Sequence, residues 1–453
     1  MSRLIAKRTS KVLVLVAAAL FALQFSFAGQ TEASPPLLTL NEAIQIAIAN
    51  NRSLKIANLG VDKSKWQVAS ARTKRLPALN TYLFASGTLT SPTFTFKEGT
   101  FGTIHGVPIP SKNTDISLSR GVTGNGLVQV AQPITQLYKI HLFVREQQLS
   151  SDFASQEYRA KRQSVVSDVK QAYYAVLQNE SALDAAQALV KQYEETDRIV
   201  LQYLSQETVL KSESLEVKAK LAQAQYKVVE LRNDLQTRKE HLNDLLGRDL
   251  ETDFRTEPAL PASLAETDLK LAQQTALQQR PEIKEAEINV RRADYDRRLA
   301  KAQYIPDVGA AFHYFTPINT EILPQNIALA GVELSWEPFD WGRRKDDVNQ
   351  KKVTLEQGQY QLKDTQSKIL LDVNNRFRKL GESRSLLVVA QAARDAANEK
   401  LHEVNDKFKQ QAVLLRDVLQ QQTAVADAEH DYQQALLNFW SAKAEFEKAL
   451  GEE

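Results

Sequence analysis

The sequence predicts a mainly α fold with a small β part: long antiparallel coiled-coil helices in two internal repeats, each repeat inserting a strand pair. Three observations carry this. First, the 453-residue chain repeats itself: Ala47-Ile48 returns as Ala276-Leu277, Leu54-Lys55 as Ile283-Lys284, Ala57 as Ala286 and Leu76-Pro77 as Ile305-Pro306, all at an offset of 229. The offset then falls to 205, carrying Gly126 to Gly331, Pro133 to Pro338 and Tyr203 to Phe408, and is 204 where Leu246-Gly247 returns as Leu450-Gly451. The first copy therefore holds about 24 extra residues between positions 78 and 126. A period of this size marks a duplicated domain-sized unit, well beyond the roughly 20 to 50 residues of a solenoid repeat. Second, most of the 16 glycines and 14 prolines fall in 77–133 and 281–342, which leaves the remainder free for long uninterrupted helices. Third, the intervening stretches carry apolar heptads.

The chain opens with Arg3, Lys7, Arg8 and Lys11, an apolar run from Val12 to Phe27 and small residues at Ala28 and Ala33, the pattern of a secretory signal over residues 1–28. The alternative is an uncleaved anchor, for which the run is short. The first repeat is placed at 29–256. It starts with a helix over Asn41 to about Asn50, broken near Asn51-Arg52-Ser53, and a second helix that Pro77 ends, since proline lacks an amide and clashes with the preceding turn. Strands follow at about 80–88 and 127–132, separated by a loop over Ser86 to Ser119 with Phe94, Phe96 and Phe101. That loop is expected at the surface; folding over a mouth is the other reading. From Leu137 to Tyr203, Val169, Val176, Leu183 and Val190 take one seam position, and Val165, Ala172, Ala186, Tyr193 and Val200 the other. A tip at about 205–212 turns the chain into a returning helix with Leu221, Val228, Leu235 and Leu242 beside Val217, Ala224, Leu231 and Leu245. The linker is placed at 257–268 and the second repeat at 269–451, with strands at about 307–315 and 327–337 and a tip at about 409–416. In its second strand Val332, Leu334 and Trp336 alternate with Glu333, Ser335 and Glu337, the period of a sheet between two media. Aligning Pro133 with Pro338 leaves the apolar phases of the two second strands one residue apart, which means either a bulge or a slip in the alignment.

Without residues 1–28 the chain has 53 basic and 55 acidic residues, a net charge of −2. No nucleic acid is expected as a partner, because that calls for a basic excess on one face. There is no cysteine, so packing alone must hold the fold. No cofactor, metal or catalytic set is legible. The six histidines (105, 141, 241, 313, 402, 430) are dispersed, His402-Glu403 lacks a second histidine, and Gly121-Val122-Thr123-Gly124-Asn125-Gly126 is not in dinucleotide-binding order.

After residue 28 no run of 18 apolar residues occurs, so a membrane crossing would have to use strands. Four strands cannot close a barrel, and an open edge in lipid leaves backbone groups unpaired at several kcal/mol each. Two chains would give a filled eight-stranded barrel and three a twelve-stranded barrel with a lumen. A spectrin-like tether would share the heptads but not the matched strand pairs.

Leu40-Asn41-Glu42-Ala43 to Ala49-Asn50-Asn51, the helix ending in Leu76-Pro77, Trp336-Glu337-Pro338-Phe339-Asp340-Trp341-Gly342-Arg343-Arg344 and the terminal Ala449-Leu450-Gly451 together resemble the TolC family of outer-membrane efflux proteins, over nearly the whole chain. The resemblance implies a homotrimer forming a twelve-stranded barrel among outer-membrane lipid, with an α-helical tunnel through the periplasm. It also implies two partners, a periplasmic adaptor protein and an inner-membrane transporter, with type I protein secretion as the alternative use of the same duct. A periplasmic coiled-coil tether or adhesin is the alternative of another class.

Matching the family's tip pattern selects Phe408, Gln411, Val413, Leu415, Asp417, Val418 and Leu419 in the second copy, against Tyr203, Gln206, Val209, Leu210, Lys211 and Ser212 in the first, with Arg416 beside the second tip. Gln411 stands where the pattern has glycine, and Phe408 and Val413 where some members have a tyrosine and an arginine. For Asp417 the alternatives are a pore-facing acid that draws cations and a solvated or capping carboxylate. Lys211 and Arg416, matched to each other, are either docking charges or solvated helix-end charges. Tyr82, Phe84, Phe312, Tyr314, Trp336, Phe339 and Trp341 sit at or beside strands and are candidates for interfacial girdles, with interhelical core as the alternative for Phe339 and Trp341.

Overall fold

The structure is a computed structural model that describes residues 35–452 apart from 88, 92, 118–120, 207–209, 258–267, 319–323, 325 and 411. The signal segment 1–28, most of the linker 257–268, Val209 and Gln411 lie outside the described residues.

The order of elements shows the duplication. β1 (Leu37–Leu38) leads into α1 (Leu40–Asn50) and α2 (Arg52–Thr73), then β2 (Ala78–Gly87). The long connection holds β3 (Thr93–Phe96), β4 (Thr103–Ile104), β5 (Val107–Pro108) and β6 (Thr114–Ser117), before β7 (Val122–Pro133), α3 (Gln136–Ser205), α4 (Lys211–Leu246) and β8 (Arg255–Thr256). The second copy supplies α5 (Leu269–Gln279), α6 (Pro281–Ala302), β9 (Asp307–Ile318), β10 (Ile327–Ser335), α7 (Arg343–Lys409) and α8 (Leu415–Leu450). Helix lengths match pairwise: 11 residues for α1 and α5, 22 for α2 and α6, 36 for α4 and α8, and 70 against 67 for α3 and α7. At 1.5 Å per residue the longest is roughly 105 Å long and its return about half that.

Local chemistry explains the breaks. Asn51 caps α2, its side-chain oxygen accepting from the Leu54 amide at 3.1 Å, while Pro281 opens α6 where no amide is needed. Gly247 and Gly451 close α4 and α8 in the left-handed conformation, at φ 68° and 85°. The second of these is tightly seated: a Cβ on Gly451 would lie 3.0 Å from the Arg280 amide nitrogen and the Gln279 carbonyl carbon. The Gly451 carbonyl also accepts from Gln163 Nε2 at 2.6 Å.

By compactness the chain divides into Met1–Gln45 with Ala172–Ala262, and Ile46–Gln171 with Ser263–Glu453. The division crosses the repeats because strands of both copies share one sheet in the second unit. In the first unit, Val176, Val200, Val217, Leu242 and Phe254 are fully buried, and half-buried Leu183, Val190, Leu221, Val228 and Leu235 continue the heptad seam. Tyr173 ties the short parallel pair β1–β8 together: its hydroxyl donates to the Leu38 carbonyl at 2.9 Å and accepts from the Glu257 amide at 3.0 Å. Burial of the phenol outweighs that bond and pushes its pKa up to about 12.

In the second unit the sheet has the order β10-β9-β7-β2, antiparallel throughout. The ladders run without interruption, so no bulge occurs in them, and the phase difference read from the sequence is a slip. Thr81 pairs with Val128 and Ala310 with Val332; the first strands are thus offset by 229 and the second by 204, one less than the prolines imply.

Candidate functional site

At the second tip α7 ends at Lys409 and α8 begins at Leu415. Leu415, Val418 and Leu419 are buried, Phe408 and Val413 half-buried, and Arg416 exposed. The Asp417 carboxylate accepts from the Leu414 amide at 3.0 Å, so it caps the helix start and complements its dipole. Arg416 Nε lies 3.7 Å from the same carboxylate.

The first tip uses the same device. Glu213 accepts from the Leu210 amide at 3.2 Å, so the Leu210/Glu213 pair answers Leu414/Asp417 at an offset of 204. This corrects the matching of Lys211 with Arg416: in structural register Lys211 answers Leu415, and Glu213, which the pattern did not select, is the counterpart of Asp417. The signal was present as an acid three residues after the helix boundary. Lys211 and Gln206 are exposed and Tyr203 is half-buried, with the Gln206 amide donating to the Tyr203 carbonyl at 3.1 Å.

The strand-to-helix junctions differ between copies. After β10, Gly342 at φ 91° lets the chain turn, and Asp340 gathers the turn: its carboxylate accepts from the Gly342 and Arg344 amides at 3.1 Å and from Arg344 Nε at 2.6 Å. Desolvation raises the Asp340 pKa, but the bonds from Arg344 and Gly342 outweigh it and hold the carboxyl below its ordinary value. Buried Arg344 also donates to the carbonyls of Glu337 and Gln303 and lies over the Tyr304 ring. The first copy lacks this motif, and Thr135 takes its place. Its hydroxyl donates to the Pro306 carbonyl at 2.7 Å and accepts from the Val308 amide at 2.8 Å, while Lys139 pairs with Asp307 at 2.6 Å.

Residues directly opposite in a ladder share a face, so the registers sort the sheet into two surfaces. One carries Leu79, Val130, Phe312 and Ala330 in one row and Thr81, Val128, Tyr314 and Ala328 in the next, with Val332 and Leu334 beyond, and no charged side chain. The other carries Asn80, Gln129, His313, Glu333 and Asp307. The aromatic candidates are thereby split: Phe312 and Tyr314 belong to the uncharged face, Tyr82 and Phe84 to the polar one. Trp336 lies one residue past β10. Phe339 and Trp341, 66% and 89% exposed, stack edge to face with centroids 4.7 Å apart and are not interhelical core within this chain. Among the described residues no cluster of His, Cys, Asp or Glu could hold a metal, and no helix is long and apolar enough to cross a membrane.

The helices recur in matched pairs, and the four-stranded sheet carries no charged side chain on one face and Glu333, Asp307 and His313 on the other. Residues 43–248 and 272–452 match the model of the outer membrane efflux protein family, and the chain belongs to that family. Membership places the protein in the outer membrane, with a periplasmic part, as an efflux-channel protein rather than an enzyme. Among solved structures the fold is similar to the Campylobacter jejuni CmeC outer membrane channel (18% identity, 91% of this chain, 85% of that one, TM-score 0.74). It is similar also to the Neisseria gonorrhoeae MtrE outer membrane channel in its open state (18%, 91% and 89%, TM-score 0.72) and to the Vibrio cholerae outer membrane protein VceC (15%, 91% and 96%, TM-score 0.73). Comparison with curated protein sequences gives no match.

Proposed function

We propose that three copies pool their sheets into one twelve-stranded barrel and act as a passive exit duct. Cargo is delivered by an inner-membrane transporter through a periplasmic adaptor protein that meets the helix tips. The observation that carries this reading is the sheet itself: four strands ending on the unpaired edges of β2 and β10, with one face free of charge. In water such a sheet exposes an apolar face and two edges open to pairing with another chain, and in lipid those open edges cost several kcal/mol per unpaired group. Pairing β10 of one copy with β2 of the next removes every edge, and twelve strands leave a lumen. The uncharged face then meets lipid, with Phe312 and Tyr314 as outer girdle residues, and the face with Glu333 and His313 lines the water path. Exposed apolar residues on the helices, Ile56, Leu59 and Trp66 on α2 and Val353 and Tyr360 on α7, supply contact area for neighbouring copies. A non-conducting tether would need no such sheet.

At the tips, Phe408, Val413 and Arg416 in the second copy and Tyr203, Gln206 and Lys211 in the first are the proposed entrance and adaptor contacts. Native mass spectrometry and planar-bilayer recording of the purified protein test the duct. A trimer with stable ion conductance is expected; a monomer that leaves bilayers electrically silent overturns the reading. Photo-crosslinking from positions 206, 211 and 416 tests the tips, and no adaptor captured from any of them removes the docking assignment.

A further inference from the structure

On the polar face of the sheet one row breaks the rule. Ile327 pairs with Phe315, Phe315 with Leu127, and Leu127 with Tyr82, so each of the four strands places one bulky apolar or aromatic residue at the same register. The row on its helix side is Leu329, His313, Gln129 and Asn80, and the one beyond that is Gly331, Ala311, Ala131 and Ala78. On the loop side Phe84 follows, opposite Asn125. The face therefore runs from Asp307 and Glu333 beside the helices, through a row of small side chains and a mostly polar row, to a band of large carbon-rich ones near the loops. A lipid-facing role does not explain the band, because its face also carries Glu333, Asp307 and His313, which hydrocarbon would penalise. Cross-strand packing alone calls for bulk at some positions but not for an unbroken row across every strand.

We propose that this row is a lumenal recognition band for aromatic small molecules in transit, an inference that rests on the trimeric duct. Three copies bring twelve such side chains into the lumen, as three oblique arcs because barrel strands tilt by about 35–45°. Tyr82 and Phe315 offer ring faces and edges for stacking, Leu127 and Ile327 fill between them, and the Asn80, Gln129 and His313 row below offers polar groups to a substituent. The same band narrows the water path, so ions cross a less wettable stretch than the rest of the tube presents. Cargo with aromatic rings is held there briefly and released outward, because no charge or enclosing pocket retains it.

The test is block of single-channel current in the purified full-length protein, using ethidium as an aromatic cation and spermidine as a cation without rings. Ethidium is expected to interrupt the current, and Phe315→Ser to weaken that block by about tenfold while raising ionic conductance, with the spermidine effect unchanged. Tyr82→Ser, on the edge strand, gives a second and independent measurement should Phe315→Ser fail to insert. Phe312→Leu, on the opposite face, is expected to leave ethidium block as it is. Equal ethidium block in the parent and in the serine variants overturns the band but leaves the duct standing. A parent protein that conducts nothing overturns the duct and the band with it.

Discussion

Asp417 shows how a candidate pore residue can be committed elsewhere. Its carboxylate caps α8, so substitution acts first on the helix start. Asp417→Ala should cost about 0.5–1 kcal/mol in thermal unfolding, and Asp417→Asn, which keeps an acceptor, a smaller part of it. A cation-selectivity change in Asp417→Asn at unchanged stability would assign the carboxylate a second role at the entrance. Gly451 is constrained more severely, by its positive φ and by backbone where a Cβ would sit. Gly451→Ala should destabilise the protein by about 1–3 kcal/mol, read as a lowered melting temperature. Glu285 on α6 makes stability depend on pH. Burial, reinforced by the charges of Glu282 and Glu157, raises its pKa from 4.5 to about 7. A carboxyl with a raised pKa favours folding fully below its unfolded value, and the advantage is lost as pH rises through 7. Glu285→Gln should therefore melt above the parent at pH 8 and not at pH 4, which paired thermal scans would check.

At the scale of elements, periodicity and proline placement were enough to read the helices. Pro77 and Pro306 each follow a 22-residue helix, and the heptad positions Val169, Val176, Val200 and Leu242 are all buried. Registers were harder, because a repeat aligned on Pro133 and Pro338 takes prolines that lie at different distances from the last strand pairing. The same one-residue error misassigned Lys211 and hid Glu213. Side of sheet was also illegible for Tyr82 and Phe84: alternation shows that neighbours point opposite ways, but only the ladder, in which Asn80 pairs with Gln129 and Gln129 with His313, shows that they share the polar face. The junctions are legible where a motif exists. Asp340 has its pKa held down, so the stability it contributes is present above the ordinary carboxylate range and lost as pH falls through the folded value. Asp340→Asn should accordingly lower the melting temperature at pH 7 and converge with the parent in acid. Thr135, serving the same purpose in the first copy, has no motif to announce it; its partners Pro306 and Val308 are more than 170 residues away.

For the whole molecule, the duplication was legible because equal helices recur in equal order, while the partition into compact units was not, since the sheet draws on both copies. That sheet sets a condition on biogenesis. Every subunit would act as donor at one seam and recipient at the other, so a single copy with one faulty edge leaves its ring unclosed. Co-producing the parent with a variant carrying proline at Val332, within the edge strand β10, should poison the assembly: intact rings should fall with the cube of the sound fraction. A cell making both versions would lose export far more steeply than it loses normal protein, and the damaged gene would behave as dominant.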